Sequence, residues 1–295
     1  MKICNLSPYI LLLCALSFVS LQCFQLPEEI EPPPTRQIYS AYSTDGLTFT
    51  QEAGVRISSG SVPEVIRLSD GTYLMYYVIP GEDDILMASS PDGLNFSDPQ
   101  TVLRKGGPYD LYGAVDPAVV KVSDSEFRMY YVGWREKQEF GVRTNNYLMF
   151  ATSPDGLNWT KVDTVISHEG LSDVTVVPVG GNYRIYYSDK DDLFTILVAS
   201  DGTTIIDPEK KVELPYGCTV PHILDTGNGY YRLYYNRSPK YDPDPTTKYA
   251  LRSATSTDLI QFTPEEGIRY ENADAPCVIK LPDGGYRLYY QIGSD

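Results

Sequence analysis

Tyr73–Tyr77 reads YLMYY, and the chain repeats that phrase four more times. Phe127–Tyr131 is FRMYY, Tyr183–Tyr187 is YRIYY, and both Tyr231–Tyr235 and Tyr286–Tyr290 are YRLYY. The Tyr-Tyr pairs recur every 48 to 56 residues, with no long helical pattern between them. A period of that size built on β-forming residues predicts radially repeated sheet, one copy per blade. Five copies predict an all-β, five-bladed β-propeller.

A second phrase alternates with the first. Ser43–Phe49 (STDGLTF), Ser90–Phe96 (SPDGLNF) and Ser153–Trp159 (SPDGLNW) are close copies. Ser200–Ile205 (SDGTTI) is shortened, and Ser256–Phe262 (STDLIQF) has lost its glycine. Asp-Gly between apolar runs marks a hairpin, because glycine accepts the positive φ of a tight turn. The boxes and pairs alternate, beginning with a box and ending with a pair. The chain therefore starts with the second half of a blade and ends with the first half of one. Pairing residues 37–57 with 274–291 in one composite sheet would close the ring and remove its free edges.

Each full repeat reads as four antiparallel strands. In the first, A is Glu64–Leu68, B is Tyr73–Ile79, C is Ile85–Ser89 and D is about Phe96–Leu103. The A–B and C–D turns then share one face. The B–C loops and D–A connections share the other, which carries the irregular stretches Lys105–Ala114, Gly133–Asn146, Glu213–Gly217 and Asn236–Lys248. Binding residues gather on loops held by a rigid scaffold, so the site is expected on that second face, over the central channel.

The 295 residues suffice for one domain beyond the leader, and the net charge of −15 with no basic run argues against nucleic acid. Lys2 and the apolar run Tyr9–Val19 read as a signal peptide over residues 1–22. Residues 23–36 read as a Pro/Glu-rich linker, leaving 37–295 as the propeller. The mature chain is then exported, with no transmembrane segment. A lipid anchor on Cys23 is the alternative fate of that terminus. Export permits a disulfide between Cys218 and Cys277; two buried thiols are the other reading. Asn95, Asn158 and Asn236 lie in N-x-S/T sequons. His168 reads as surface, and Trp159, inside a box, as blade packing.

Strand A should line the axis. Its entries align as Ser61-Val-Pro-Glu64, Val115-Asp-Pro-Ala118, Ser172-Asp-Val-Thr175, Thr219-Val-Pro-His222 and Asp274-Ala-Pro-Cys277. Glu64, Asp116, Asp173, His222 and Asp274 are then the ionisable residues at the channel mouth. Clustered carboxylates push one another's pKa values apart, as acid/base pairs require. Trp134, Arg135, Tyr109, Tyr112, Tyr216 and Arg237 sit on the adjoining loops. Aromatic faces suit the C–H face of a sugar, and arginine suits its hydroxyls or a carboxylate. No cysteine or histidine spacing suggests zinc, and no cofactor is expected, although His222 could help hold a cation.

These residues resemble the five-bladed propellers of the family 43, 32 and 68 glycoside hydrolases. The likeness covers nearly the whole mature chain. It rests on Val115–Val122 (VDPAVVKV) and Val220–Leu224 (VPHIL), each followed by a Tyr-Tyr strand, and on the boxes. It implies a carbohydrate partner, Asp116 as general base and Asp173 as the residue that orients or tunes; a monomer is expected. The slot of the general acid falls on Thr219, which cannot protonate a leaving group. Asp274 and Glu64 are the substitutes within reach. Carboxylates roughly 6.5–9.5 Å apart would indicate inversion, and about 5–5.5 Å retention. Two further readings stand beside hydrolysis. One is a binding propeller without catalysis. The weaker one is a sialidase-like enzyme, since the boxes are similar to aspartate-box turns but lack the residue between Asp and Gly.

Overall fold

The computed structural model describes residues 36–139, 142–237 and 249–292. The expected signal peptide, most of the linker, Cys23 and most of the blade-four B–C loop lie outside the described residues.

The described residues form five four-stranded antiparallel sheets and no helix. Blade 1 is β3 (Ser61–Arg67), β4 (Tyr73–Val78), β5 (Ile85–Ser90) and β6 (Gln100–Leu103). Blade 2 is β7 (Gly113–Ser123), β8 (Glu126–Trp134), β9 (Asn145–Ser153) and β10 (Thr160–Glu169). Blade 3 is β11 (Ser172–Val179), β12 (Asn182–Asp189), β13 (Asp192–Val198) and β14 (Ile205–Lys211). Blade 4 is β15 (Thr219–Asp225), β16 (Tyr231–Asn236), β17 (Leu251–Ser256) and β18 (Thr263–Pro264). Blade 5 joins the two ends of the propeller: β19 (Asp274–Lys280) and β20 (Tyr286–Gln291) pair with β1 (Ile38–Ser43) and β2 (Thr50–Gln51). The composite closure is thus present, with β1 and β20 in register from Ile38↔Gln291 to Ser43↔Tyr286. The inner strands β3, β7, β11, β15 and β19 touch one another in a closed ring.

The two repeated phrases meet. The first tyrosine of each pair donates its phenol proton to a main-chain carbonyl in the next blade's box. Tyr76 reaches Gly156 (2.8 Å), Tyr130 reaches Gly202 (3.0 Å) and Tyr186 reaches Leu259 (2.8 Å). Tyr234 reaches Gly46 and Tyr289 reaches Gly93, both at 2.9 Å. A buried phenol needs such an acceptor. The box is rigid enough to supply it. In the first box, Ser43 Oγ accepts the Gly46 N–H, while Asp45 Oδ1 accepts those of Leu47 and Thr48. The same kind of contact holds Asp155 and Asp201 down to about 2, led by the Asn158 N–H in the first and by the Thr204 hydroxyl in the second. Leu259 takes φ +65° where the fifth box lacks glycine, so the turn survives the substitution.

Cys218 and Cys277 are free, buried thiols, the second of the two readings. Other expectations need correction. Asn236 is buried and donates its side-chain amide to the Ala273 carbonyl, so it cannot present a glycan. His168 is half-buried, its ring 5.5 Å from those of both Tyr187 and Phe194. Strand D of blade 1 starts only at Gln100, because the box bonds hold the chain as far as Asn95 in a turn. Trp159 does pack as expected, edge-on to Tyr76 with its indole N–H on the Gly156 carbonyl.

Candidate functional site at the channel mouth

Every inner strand carries a bulge at its entry, where pairing with the second strand slips between the first and fourth aligned residues. The second residue of each bulge is left-handed: Val62 (φ 53°), Asp116 (51°), Asp173 (51°), Val220 (46°) and Ala275 (47°). A valine there is a genuine outlier, and each such residue costs on the order of 1–3 kcal/mol. Bulges re-aim side chains and concentrate beside functional sites. Of these residues Val62, Asp173, Val220 and Ala275 line a cavity at the channel mouth.

The register keeps the five ionisable residues at the three positions the alignment gives them. Asp116 and Asp173 occupy the left-handed level. Asp274 stands one residue earlier, and Glu64 and His222 two residues later. A cavity at the mouth is lined by Glu64, Asp173 and His222 together with Val62, Pro117, Val220 and Pro276 among others. It has room for about one water molecule.

Asp116 and Asp173 are joined directly. The Asp173 N–H donates to Asp116 Oδ2 at 3.0 Å. Asp173 Oδ2 accepts from Ser172 Oγ at 3.0 Å and Ser188 Oγ at 2.5 Å. Burial, then the Asp173 charge, raises Asp116 to about 7 against the pull of that N–H. Burial also raises Asp173, opposed chiefly by the two serines and reinforced by the charge of Asp274. Asp274 has both oxygens engaged, Oδ1 by the Ala275 N–H and Oδ2 by Gln291 Nε2. Gln291 in turn accepts the Val62 N–H, tying blade 5 to blade 1.

One level deeper, Glu64 Oε1 accepts the Val119 N–H and His222 Nε2 meets the Val278 carbonyl at 3.0 Å. Burial raises Glu64 to about 7 and lowers His222 to about 4.

The loop residues do not line this cavity. Trp134 ends β8 with its indole over Gly113, where a Cβ would lie 2.4 Å from the ring. Tyr112 is exposed beside it, its N–H on the Trp134 carbonyl. Arg135 reaches the Tyr147 phenol at 3.5 Å, and Tyr147 lies 4.9 Å from Tyr109. Arg237 sits over the Tyr216 ring at 4.3 Å, in a separate hollow with Arg252 and Glu266. Tyr147 was missed because it lies inside a strand pattern. Asp110 was missed because nothing local marks it: it is fully buried, takes the Gly107 N–H and the Tyr131 phenol, and pairs with Lys161.

No protein-family model matches the sequence, and no curated protein does. Solved structures do match. An α-L-arabinofuranosidase from Lactobacillus brevis superposes with a TM-score of 0.63 at 16% identity, over 80% of this chain and 86% of that one. An endo-arabinase from Bacteroides thetaiotaomicron gives 0.61 at 14%, over 80% and 94%. A thermostable family-43 glycoside hydrolase gives 0.62 at 12%, over 79% and 88%. The chain shares the propeller fold of these enzymes. At these identities the likeness is one of fold, and function has to be argued from the site.

Proposed function

We propose that this family 43-like propeller is an exported carbohydrate-active enzyme that hydrolyses glycosidic bonds at the channel mouth. Asp116 acts as the general base toward water, and Asp173 orients it and tunes its basicity. The observation that carries the reading is the contact between these two residues on neighbouring blades. A base is most effective with a pKa near the working pH, and Asp116 is raised to about 7. Trp134, Arg135 and Tyr112, with Tyr147 and Tyr109, offer the aromatic and cationic surface on which a glycan can lie. Export rests on Lys2 and the apolar run Tyr9–Val19.

Thr219 favours a second reading, a glycan-binding propeller without turnover, since it stands where the resemblance puts the acid. Leaving-group chemistry separates the two. An aryl glycoside with an acidic phenol departs without a protonated partner, whereas a glycan linkage needs one. The test is hydrolysis of aryl arabinosides, xylosides, fructosides and galactosides and of their polymers, with Asp116→Ala as control. Turnover abolished by the substitution is expected. Turnover retained removes Asp116 as base. Absence of turnover on every substrate, with glycan-array binding, leaves the binding propeller.

A further inference from the structure

One side chain from each of three blades converges in the channel. Glu64 on β3, His222 on β15 and Cys277 on β19 each occupy the fourth bulge position, and their ligand atoms all lie within 4.8 Å of one another. Ala118 and Thr175 fill that position in the other two blades. We propose that Glu64, His222 and Cys277 bind one thiophilic divalent ion of the zinc type, with the mouth cavity supplying a fourth, water-occupied position.

The geometry around each ligand supports this. His222 directs Nε2 to the Val278 carbonyl at 3.0 Å, which fixes the tautomer and leaves the Nδ1 lone pair pointing inward. A metal-bound histidine characteristically gives its other ring N–H to such an acceptor. Nδ1 faces Glu64 Oε2 across 3.8 Å, too far for a hydrogen bond and wide enough for an ion to enter. Glu64 Oε1 is held by the Val119 N–H, so the carboxylate is already oriented. Cys277 Sγ takes the Val65 N–H at 3.2 Å, and its S–H lies between the Val65 carbonyl (4.0 Å) and the Glu64 carboxylate, where it is the proton a metal would displace. Ligand bonds of about 2.0–2.3 Å put donor atoms roughly 3.5 Å apart, so the three side chains need close by only about 1 Å.

The donor set also chooses the ion. Sulfur, imidazole and one carboxylate suit zinc or its cobalt(II) substitute, whereas calcium and magnesium want oxygen throughout. Glu64 and His222 line the mouth cavity, which gives the ion an entry path and one water a place to bind. On binding, the Cys277 S–H bond is replaced by a sulfur–metal bond and the proton leaves to solvent. The ion would cross-link blades 1, 4 and 5 on the axis, beside Asp173. The assignment rests on these three side chains and is independent of whether the protein hydrolyses glycans.

The experiment is metal titration of the chelator-treated full chain with Zn²⁺, and with Co²⁺ as a spectroscopic probe. One equivalent of Zn²⁺ retained through desalting is expected, with a near-ultraviolet thiolate-to-cobalt band for Co²⁺. Cys277→Ser should abolish the band and weaken Zn²⁺ binding by more than about tenfold. Cys218→Ser should leave both unchanged. Should Cys277→Ser fail to fold, His222→Gln provides the same loss of affinity with the thiol intact. A wild-type chain that gives no thiolate band with Co²⁺, or a band that persists in Cys277→Ser, overturns the assignment.

Discussion

The Tyr289 phenol donates to the Gly93 carbonyl across 2.9 Å, joining residues 196 positions apart. It fastens blade 5 to blade 1, so with the Tyr234 bond to Gly46 it is one of the two tyrosine bonds that tie C-terminal strands to N-terminal boxes. Tyr289→Phe keeps the buried ring and removes only this bond. A buried acceptor left unsatisfied costs about 1–3 kcal/mol. The urea midpoint should fall accordingly, while Tyr230→Phe, at an exposed position, should not move it. Equal midpoints for the two variants would show that closure does not depend on the bond.

Gly93 serves that bond in two ways, through its φ of +71° and through the absence of a Cβ. A Cβ there would sit 2.6 Å from both Tyr289 Oη and Arg287 Nη1. Gly284 has a comparable φ of +88° and open space around it. Alanine at Gly284 should cost only the left-handed backbone, about 1–2 kcal/mol. Gly93→Ala should cost clearly more, since the latch must also shift. Paired denaturation curves measure the difference. Equal losses would reduce the role of Gly93 to its backbone conformation.

Asp116 gives stability a pH signature. Folded, it keeps its proton up to about 7; unfolded, up to about 3.9. Between those values the native state holds more protons, so this group's contribution is full below the lower value and lost as pH rises through the upper. Asp116→Asn cannot ionise. Its stability relative to wild type should therefore climb between pH 4.5 and 7.5. Asp155, held at about 2, shifts in the opposite direction and loses its contribution only below that interval. A flat difference across the window would mean that Asp116 is ionised normally in the folded protein.

The pairs and boxes were legible as a propeller because both are local. A tyrosine pair reads as a buried strand, Asp-Gly reads as its turn, and their alternation reads as the composite blade. The site was legible only as a neighbourhood. Aligning the strand entries on proline sets Asp274 one residue before Asp116 and Asp173, but it does not say what each carboxylate meets. In the bulge Asp274 is engaged by Ala275 and Gln291, whereas Asp116 meets the Asp173 N–H. A bulge is a property of pairing between strands, which spacing along one strand does not carry. The meeting of Glu64, His222 and Cys277 was hidden for the same reason, since their approach depends on the closure of the whole ring.

Asp110 is the least legible of the residues that shape the loop face, and it makes the sharpest test of that face. It is fully buried, and Lys161 on β10 is the cation paired with it. Through the Gly107 N–H and the Tyr131 phenol, it pins the connection that presents Tyr109 and Tyr112. Removing one partner of a buried pair leaves an uncompensated charge, worth about 3–5 kcal/mol when burial is complete. Lys161 is partly solvated, so Lys161→Met should cost somewhat less, about 2–4 kcal/mol. Adding Asp110→Asn should recover part of that loss, because the amide carries no charge to strand. The indole of Trp134, packed on Gly113 in the same connection, should change its fluorescence in Lys161→Met and return toward wild type in the double variant. Additive losses in the double-mutant cycle, with Trp134 unchanged throughout, would show that the loop is held by its backbone alone and that the buried pair does not position the aromatic surface.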